Sequence, residues 1–564
     1  MKAGLRLRPS QKKERSWRGF VAAAVLMLSG ILSIALDVAP APLGGVPETQ
    51  FSADRALKHV EAISQAPHPV GSAEHAVVKN YIVSVLRQIG LAPQVQKSAA
   101  VDRWGGMSIP LENIIAEMKG SQPGKSVLLV AHYDSVSSAP GAADDGAAVG
   151  ALLEAARIFK TLPQFRRDIL FLFTDGEEPG LLGAKAFVAE NPLARNVGVV
   201  LNFDARGSRG PVILFETSDQ NAWLIDNVSK AASHPVANSL SYEIYKRLRN
   251  DTDFSVFKHA GYPGLNFAFI DGLVNYHTAG DNLQNLDRGS LQHHGDYAVE
   301  LGTRFANSAS LQPGRNNAIY FDVLGKTLVH YSYLTGTLLL IAAMILTAWI
   351  ILQGFRRQSL RVANLIFSAL VILAGIAASV LVSVALHGLL SRLAARYSPI
   401  QTSLVGHGGY YVTMVCAAGL VAAVFLNTWN VKRFGPVNAG VAALLIWSGL
   451  ALCAGIWMQG ASFLLVWPLL FTGLAWAVAL YKPRYTDKLL LAAAVPAALI
   501  LVPLAQKIFT AFSIGSTPII STLLALFLAL CIVPLGPDTM SRKPSLPMSL
   551  VAAGIALCAA GIAF

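Results

Sequence analysis

The chain has 564 residues, of which 53% are hydrophobic, and 45 basic against 33 acidic side chains give it a formal net charge of +12. The hydrophobic residues gather near the beginning and beyond about residue 330, in runs long enough to cross a bilayer of roughly 30 Å, which excludes a purely soluble protein. Lys and Arg flank these runs, as membrane topology requires, so the positive charge does not indicate nucleic-acid binding.

The N-terminal segment predicts a membrane anchor. Residues 1–18 are rich in Lys and Arg, residues 19–36 form an apolar run, and a stretch rich in Pro and Gly follows. Positive charge before the run places the N-terminus in the cytoplasm and the following segment on the other side. The competing interpretation is a cleaved signal peptide, because small residues fill 38–41. We favour an uncleaved anchor, since the run is longer than the roughly 7 to 15 residues of a signal core.

Residues 48–311 predict one exported α/β domain. Short continuous apolar runs at 127–131, 169–174 and 199–203 are typical of strands buried on both faces. Helical spacing occurs between them, at 147–159 and 183–189. This alternation predicts a largely parallel sheet covered by helices.

Residues 331–564 predict an all-α membrane domain of about eight transmembrane helices. The apolar runs lie at about 334–354, 363–390, 410–428, 438–457, 461–481, 489–505, 508–535 and 547–564. Basic residues in alternate loops place those loops in the cytoplasm and the C-terminus outside, although Arg392 and Arg396 in one outer loop depart from the pattern. All four cysteines fall within predicted spans, so the exported domain has no thiol for a disulfide or a metal.

Acidic and histidine side chains stand at the ends of the three predicted strands. His132 follows the first strand, and Asp134 is a natural partner for its second ring nitrogen. Glu177 and Glu178 follow the second strand, and Asp204 ends the third. Because open α/β sheets place their sites at the carboxyl ends of strands, we expect these side chains to meet at one edge.

Other loops add candidates for the same site. Asp144 and Asp145 precede a helix, where they either cap it or bridge two metal ions. His277 supplies a second imidazole, and Tyr276 beside it either donates to an oxyanion or merely packs. Asp253 either lines a substrate pocket or caps a helix. Carboxylates interleaved with two imidazoles suit a pair of zinc ions, and one surplus Glu suits a general base.

The remaining histidines show no pattern of acidic partners and predict ordinary core or surface positions. They include His59, His68, His75, His234 and His259. The adjacent His293 and His294 point in different directions on a helix or strand, so we expect them at the surface rather than on a metal.

The segments HYDS, GAADDGAAVG, FTDGEEPGLLGA, NFDARG and YHTAGDN resemble the co-catalytic dizinc exopeptidases, which include bacterial leucyl-type aminopeptidases, glutamate carboxypeptidase and glutaminyl cyclase. The resemblance covers about residues 55–310 and implies a three-layer zinc-exopeptidase domain with a mixed, mainly parallel central sheet. It implies a cis peptide bond between Asp144 and Asp145, and Glu177 as general base. Asp134 and Asp145 would stand behind the ligands, and Asp144 would bridge the metals. The implied ligands of two zinc ions are His132, Asp144, Glu178, Asp204 and His277.

The whole chain also resembles, by its order of domains, the vacuolar and endoplasmic-reticulum membrane metallopeptidases. We therefore expect a membrane-anchored zinc exopeptidase, of the aminopeptidase type, that hydrolyses peptides with a hydroxide held by two zinc ions and a Glu base. The domain would face the bacterial periplasm or the lumen of an organelle. Alternatives are a single-zinc glutaminyl cyclase, and a transporter or receptor with a silent peptidase-like domain. The sequence leaves the oligomeric state open.

Overall fold

The structure is a computed structural model that describes residues 24–101, 106, 108–248, 250–312, 314–396 and 408–531. The chain divides into two compact units. One is Asp37–Tyr333, and the other combines Met1–Leu36 with Leu334–Phe564.

A mixed seven-stranded sheet forms the centre of the unit Asp37–Tyr333. Its strands are β1 (Gln94–Val101), β2 (Ser108–Met118), β3 (Ser126–His132), β4 (Ile169–Thr174), β5 (Val197–Ala205), β6 (Ile213–Thr217) and β7 (Gly264–Phe269). They lie in the order β1-β2-β4-β3-β5-β7-β6. The four central strands, β4, β3, β5 and β7, are parallel, and the outer pairings are antiparallel.

Helices cover both faces of this sheet and make a three-layer domain. They are α2 (Ala53–Ile63), α3 (Ala73–Gln88), α4 (Gly146–Thr161), α5 (Leu182–Glu190), α6 (Ala222–Ala231), α7 (Ser239–Tyr245), α8 (Asp253–His259) and α9 (Arg288–Ala306), and a shorter apolar helix, α1 (Ala24–Leu36), belongs to the other unit. One core packs α2, α3, α4, α6 and α9 against one face, and a second core packs α5 and α8 against the other. Alternate strand residues serve the two cores: Leu129 belongs to the first, and Leu128 and Val130 to the second.

The central strands are continuous apolar runs because both of their faces are covered. All residues of β3, β4 and β5 are buried. The predicted runs fall within these three strands, and the predicted helical segments fall within α4 and α5. The predicted fold class is confirmed, with parallel pairing in the middle of the sheet and antiparallel pairing at both sides.

A two-stranded hairpin follows residue 311, where we expected the domain to end. Its strands are β8 (Ala318–Val323) and β9 (Thr327–Ser332). The hairpin is attached by side chains of the domain: Asn221 Oδ1 accepts from the amide of Ala318 at 2.9 Å, and Ser239 Oγ accepts from the amide of Tyr320 at 3.0 Å. Tyr320 is fully buried. The hairpin therefore belongs to the same compact unit as the sheet.

The surface position expected for His293 and His294 is wrong. Both side chains are buried, because α9 packs into the main core on both sides of this pair. His293 Nδ1 accepts from the amide of Val212 at 3.0 Å, and its Nε2 donates to the carbonyl of His234 at 2.8 Å. His294 lies between the rings of Phe203 and Phe269, and neither of its nitrogens has a hydrogen-bond partner among the described residues.

The described part of the second unit consists of apolar helices. Beyond the hairpin they are α10 (Tyr333–Arg356), α11 (Val362–Arg396), α12 (Gly408–Phe434), α13 (Pro436–Trp457), α14 (Phe463–Ala479), α15 (Thr486–Phe512) and α16 (Thr517–Cys531). Among the described residues five are long and apolar enough to cross a membrane, namely α10, α11, α12, α13 and α15, while α1, α14 and α16 are shorter. The span predicted at 547–564 and the basic residues 1–18 lie outside the described part of the chain.

Candidate metal centre

The carboxyl ends of β3, β4 and β5 bring the predicted residues to one edge of the sheet. His132 is the last residue of β3, and Asp204 lies one residue before the end of β5. Glu177 and Glu178 follow β4 in a tight loop. Parallel pairing in register makes this possible, since His132 lies opposite Thr174, the last residue of β4. The sheet thus delivers an imidazole and three carboxylates to the same place.

Two groups of three side chains could each hold a metal ion. Within each group, the three ligand atoms lie within 4.8 Å of one another. The first group is His132, Asp145 and Asp204, and the second is Asp144, Glu178 and His277. Asp144 faces both groups: its Oδ1 lies 3.1 Å from Nε2 of His132, and its Oδ2 lies 3.1 Å from Nε2 of His277. His277 Nε2 is also 3.3 Å from Glu178 Oε2. One carboxylate therefore stands between two imidazoles.

The loop that carries Asp144 is fixed by its backbone. Gly141 has φ +69°, and its carbonyl accepts from the amide of Gly146 at 3.0 Å, so a side chain at Gly141 would be strained. Asp281 holds the loop from outside, because its carboxylate accepts from the amides of Ala143 (2.7 Å) and Asp144 (3.2 Å). The peptide bond between Asp144 and Asp145 is cis, which confirms the bond implied by the resemblance.

Asp145 does not cap the helix that it precedes. It occupies the N-cap position of α4 without a side-chain hydrogen bond to the helix. Its Oδ2 accepts instead from the amide of His132 at 3.1 Å, and its buried Oδ1 has no hydrogen-bond partner among the described residues. Asp145, expected behind the ligands, thus also presents an oxygen to the group of His132 and Asp204.

Asp134 holds the two glutamates rather than only the imidazole. Its Oδ1 accepts from the amide of Glu177 at 3.0 Å, and its Oδ2 accepts from the amide of Glu178 at 3.2 Å. Nδ1 of His132 lies closer to the main-chain carbonyl of Asp134 (3.0 Å) than to its Oδ1 (3.7 Å). The amides of Glu177 and Glu178 have no main-chain acceptor among the described residues, so the carboxylate of Asp134 satisfies both.

A buried pair of side chains, His75 and Asp175, lies behind the glutamate loop. His75 Nε2 lies 2.8 Å from Asp175 Oδ1, so this buried histidine has an acidic partner that no sequence pattern indicated. Asp175 Oδ2 accepts from the amide of Glu112 at 2.7 Å, and the ring of His75 stacks on Tyr133. The two residues are 100 positions apart, so no local pattern connects them. The one available sequence signal is that Asp175 stands two positions before Glu177, a candidate site residue.

The candidate substrate residues flank the two groups. Asp253 is the first residue of α8, but Thr252 forms the capping box, so Asp253 is not needed as a cap. Asp253 Oδ2 accepts instead from the hydroxyl of Thr174, and its buried Oδ1 has no hydrogen-bond partner among the described residues. The ring of Tyr276 stacks on His277 with centroids 3.8 Å apart.

Burial and mutual charge perturb the titration of the whole cluster. Burial by itself lowers the pKa of His132, but hydrogen bonds to Asp134 and Asp144 outweigh it and raise the pKa well above its usual value. The pKa of His277 rises to about 10 for the same reason, through Asp144 and Glu178. Burial raises the pKa of Asp204 to about 8 and that of Glu177 well above its usual range, and neighbouring carboxylates add to both effects.

The donor set fits divalent zinc. Glu178 Oε1 and Asp145 Oδ1 are buried and have no hydrogen-bond partner among the described residues. A buried polar atom without a partner costs about 1–3 kcal/mol, and crowded carboxylates raise one another's pKa. Cations between these oxygens and imidazoles would remove both costs, and imidazole with carboxylate is a ligand set that zinc accepts.

A mixed sheet between two helix layers, with imidazoles and carboxylates gathered at its carboxyl edge, is the arrangement that the resemblance to zinc exopeptidases implied. Residues 113–302 match the model of Peptidase family M28. These residues therefore form a Peptidase M28 domain, and the predicted resemblance to zinc exopeptidases is confirmed.

Curated relatives include membrane metallopeptidases. Endoplasmic reticulum metallopeptidase 1 of Mus musculus is 27% identical over 307 residues, which cover 50% of this chain and 34% of that protein. The vacuolar membrane protease of Candida albicans is 32% identical over 270 residues, covering 47% and 31%. The chain spans about a third of the length of these relatives. A solved Zn-dependent exopeptidase from Parabacteroides distasonis is 25% identical with a TM-score of 0.38, covering 46% of this chain and 99% of that one.

Proposed function

We propose that the chain is a membrane-anchored zinc metallopeptidase that acts as an exopeptidase, and specifically as an aminopeptidase. The observation that carries the proposal is the position of Asp144, whose two oxygens each lie 3.1 Å from the Nε2 of a different histidine. A carboxylate that faces two imidazoles in this way is suited to bridge two metal ions.

Five side chains would hold two zinc ions. Asp144 would bridge them, and the set is completed by His132, Asp204, Glu178 and His277. Asp134 would keep Glu178 in place through its amide. Bound zinc would polarise the scissile carbonyl and make a water molecule more acidic.

Glu177 is our candidate for the general base. Its amide is held by Asp134, and its side chain belongs to the acidic cluster without serving as a proposed ligand. It would accept a proton from the attacking water and deliver that proton to the leaving nitrogen, so that the C–N bond breaks and an amine departs. Burial and nearby negative charge raise the pKa of Glu177, which suits a group that must both take and give a proton.

An excess of negative charge favours substrates with a free amino end. Asp253 has a buried oxygen without a hydrogen-bond partner among the described residues, in a cluster that already holds several carboxylates. A substrate ammonium group would pair with this charge, whereas a terminal carboxylate would be repelled. Tyr276, stacked on His277, is our candidate donor to the oxyanion that develops on the scissile carbonyl.

The proposed location follows from the charge pattern of the sequence and the apolar helices. The N-terminus would lie in the cytoplasm, and the peptidase domain on the non-cytoplasmic face of a multi-pass protein. Reporter domains fused after residue 36 and after residue 333 should both register the non-cytoplasmic side. A cytoplasmic signal at either position would contradict this orientation.

The decisive experiment replaces the proposed base. In Glu177→Gln, zinc per chain should stay at two while hydrolysis of peptides with free amino ends falls by at least about 1000-fold. The exposed Glu61→Gln is the matched control and should keep full activity. Retained turnover in Glu177→Gln would remove the base assignment.

The same preparations distinguish the alternative activity. Peptides with free and acetylated amino ends are offered in parallel, together with peptides that begin with Gln. If amino-terminal residues are released from peptides with free amino ends but not from acetylated peptides, the result supports the aminopeptidase. Pyroglutamate formation with one zinc per chain would support a glutaminyl cyclase instead.

A further inference from the structure

A cleft that is open to solvent lies between α6, the C-terminal end of α9 and the segment that precedes β4. Its volume is about 740 Å³. We call it the α6–α9 cleft and define it by Arg166, Trp223, Asn227, Thr303, Arg304 and Asn307. None of these residues belongs to the candidate metal centre.

The α6–α9 cleft is at the opposite edge of the sheet from the metal centre. Arg166 precedes the first residue of β4, whereas Glu177 and Glu178 follow the last. The six residues of β4 span roughly 20 Å at about 3.3 Å per residue. Helix α9 also runs from one edge of the sheet to the other. Its N-terminal end lies beside Ser208, which follows β5, and the carbonyl of its last residue, Ala306, accepts from the amide of Arg167, which precedes β4. A ligand in the cleft cannot reach the proposed reacting groups.

Two guanidinium groups in the cleft lack acidic partners. Neither Arg166 nor Arg304 forms an ion pair with a carboxylate among the described residues. Arg304 Nε donates to Asn227 Oδ1 at 2.9 Å, and no hydrogen bond from its terminal nitrogens is found among the described residues. The one carboxylate of the lining, Asp226, is already paired with Lys230 at 2.7 Å. The cleft therefore carries a local excess of about two positive charges.

The walls of the cleft are held in place. Arg167 donates to the carbonyls of Ser308 at 3.2 Å and of Ala309, and so holds the irregular segment that follows α9. Asn227 Nδ2 donates to the carbonyl of Trp223 at 2.8 Å, and the indole packs on Phe305 with centroids 5.2 Å apart. The indole of Trp223 and the chain after α9 are thus held by contacts within the domain.

We propose that the α6–α9 cleft binds a phosphate monoester whose organic part is flat and packs against Trp223. Guanidinium groups match phosphate oxygens in bidentate hydrogen bonds, and two arginines on separate elements suit an anion with three terminal oxygens better than a carboxylate, which has two. Thr303 also lines the cleft, and its buried hydroxyl has no hydrogen-bond partner among the described residues.

The test is calorimetric titration of the full chain in detergent with phenyl phosphate. Arg166→Gln and Arg304→Gln should each weaken binding by about 10-fold, the loss expected for one charge-assisted contact. Trp223→Ala should weaken phenyl phosphate more than inorganic phosphate. The exposed Arg195→Gln is the matched control and should bind as the unaltered chain does.

Three results would overturn the proposal: no heat with phenyl phosphate at roughly millimolar concentration, equal binding by all arginine variants, or equal affinity for benzoate. Dihexanoyl phosphatidic acid distinguishes the source of the phosphate. If it binds more tightly than phenyl phosphate and still depends on Arg166, the phosphate site stands and its organic part is a lipid rather than a flat ring.

Discussion

Asp134 illustrates how a residue outside the proposed ligand set can control the site. Its two oxygens hold the amides of Glu177 and Glu178, and its main-chain carbonyl approaches His132. The side chain and main chain of one residue thereby hold the proposed base, one proposed ligand and the ring nitrogen of another proposed ligand. Groups that orient ligands in this way typically change activity by about 10–100-fold when they are altered.

We therefore expect Asp134→Asn to lower kcat by about 10–100-fold, because the amide group of Asn can accept from only one of the two backbone amides. Peptide hydrolysis and zinc content are measured on the same preparation, and zinc content should fall less than kcat. The control is Asp54→Asn, at an exposed carboxylate that pairs with Arg288. An unchanged kcat would show that the loop after β4 keeps its geometry without Asp134.

The buried carboxyl group of Asp296 should make the free energy of unfolding depend on pH. Burial raises the pKa of Asp296 to about 7, although a hydrogen bond from Gln292 opposes the shift. The folded chain therefore binds this proton more tightly than the unfolded chain, in which the pKa is near 3.8. Stability from this group is complete below about pH 4 and is lost as the pH rises toward 7.

In Asp296→Asn, the decrease in stability between about pH 4 and pH 7 that comes from this carboxyl group should disappear. One pKa unit corresponds to about 1.4 kcal/mol, and partial exposure reduces the effect, so we expect about 1–2 kcal/mol. The thermal midpoint of the variant should rise relative to the unaltered chain by about 3 °C between pH 5 and pH 8. Parallel midpoints across this range would contradict the shifted pKa.

At the scale of elements, close helix packing depends on a glycine in α4. A Cβ at Gly150 would lie 2.8 Å from Val60 Cγ2 and 2.9 Å from the carbonyl of Ala56, so α2 and α4 touch at this position. An alanine in a helix interior normally stabilises by about 1 kcal/mol relative to glycine. Here the backbone of α2 cannot move aside, and the clash dominates.

Gly150→Ala should therefore destabilise the domain by about 1–3 kcal/mol. Thermal unfolding of the full chain measures the change. Gly44→Ala is the control, because a Cβ there meets no atom within 4 Å. A higher midpoint for Gly150→Ala would mean that helix propensity outweighs the contact.

The elements that the sequence predicted well share a physical cause. β3, β4 and β5 are buried on both faces, so their apolar runs are unbroken and easy to recognise. The hairpin of β8 and β9 has only a partly buried pattern and was not predicted as part of the domain. His293 and His294 were misplaced because polar side chains inside a helix do not show whether the core surrounds that helix.

At the scale of the whole molecule, the compact unit Asp37–Tyr333 has a testable boundary. A fragment of residues 37–333 should fold as a monodisperse species and bind zinc. A fragment of residues 48–311 lacks Tyr320 and the rest of the hairpin, which bury part of the core and satisfy Asn221. Its thermal midpoint should be lower by at least about 5 °C.

Size-exclusion chromatography and thermal unfolding of the two fragments provide the comparison. Equal midpoints would show that the hairpin is dispensable and that the shorter boundary is sufficient. Failure of the longer fragment to fold would show that the unit depends on the apolar helices.

The division of the chain into α/β and apolar parts, the three central strands and the candidate site residues could all be predicted from the sequence. They depend on composition, on local periodicity and on the places where strands end. The sequence could not determine which side chains meet at a distance. Folding places Asp144 between His132 and His277, and it brings Asp134 to the glutamate amides, His75 to Asp175, and two arginines into one cleft. Such contacts join residues that local patterns do not connect, and they exist only once the sheet order and helix packing are set.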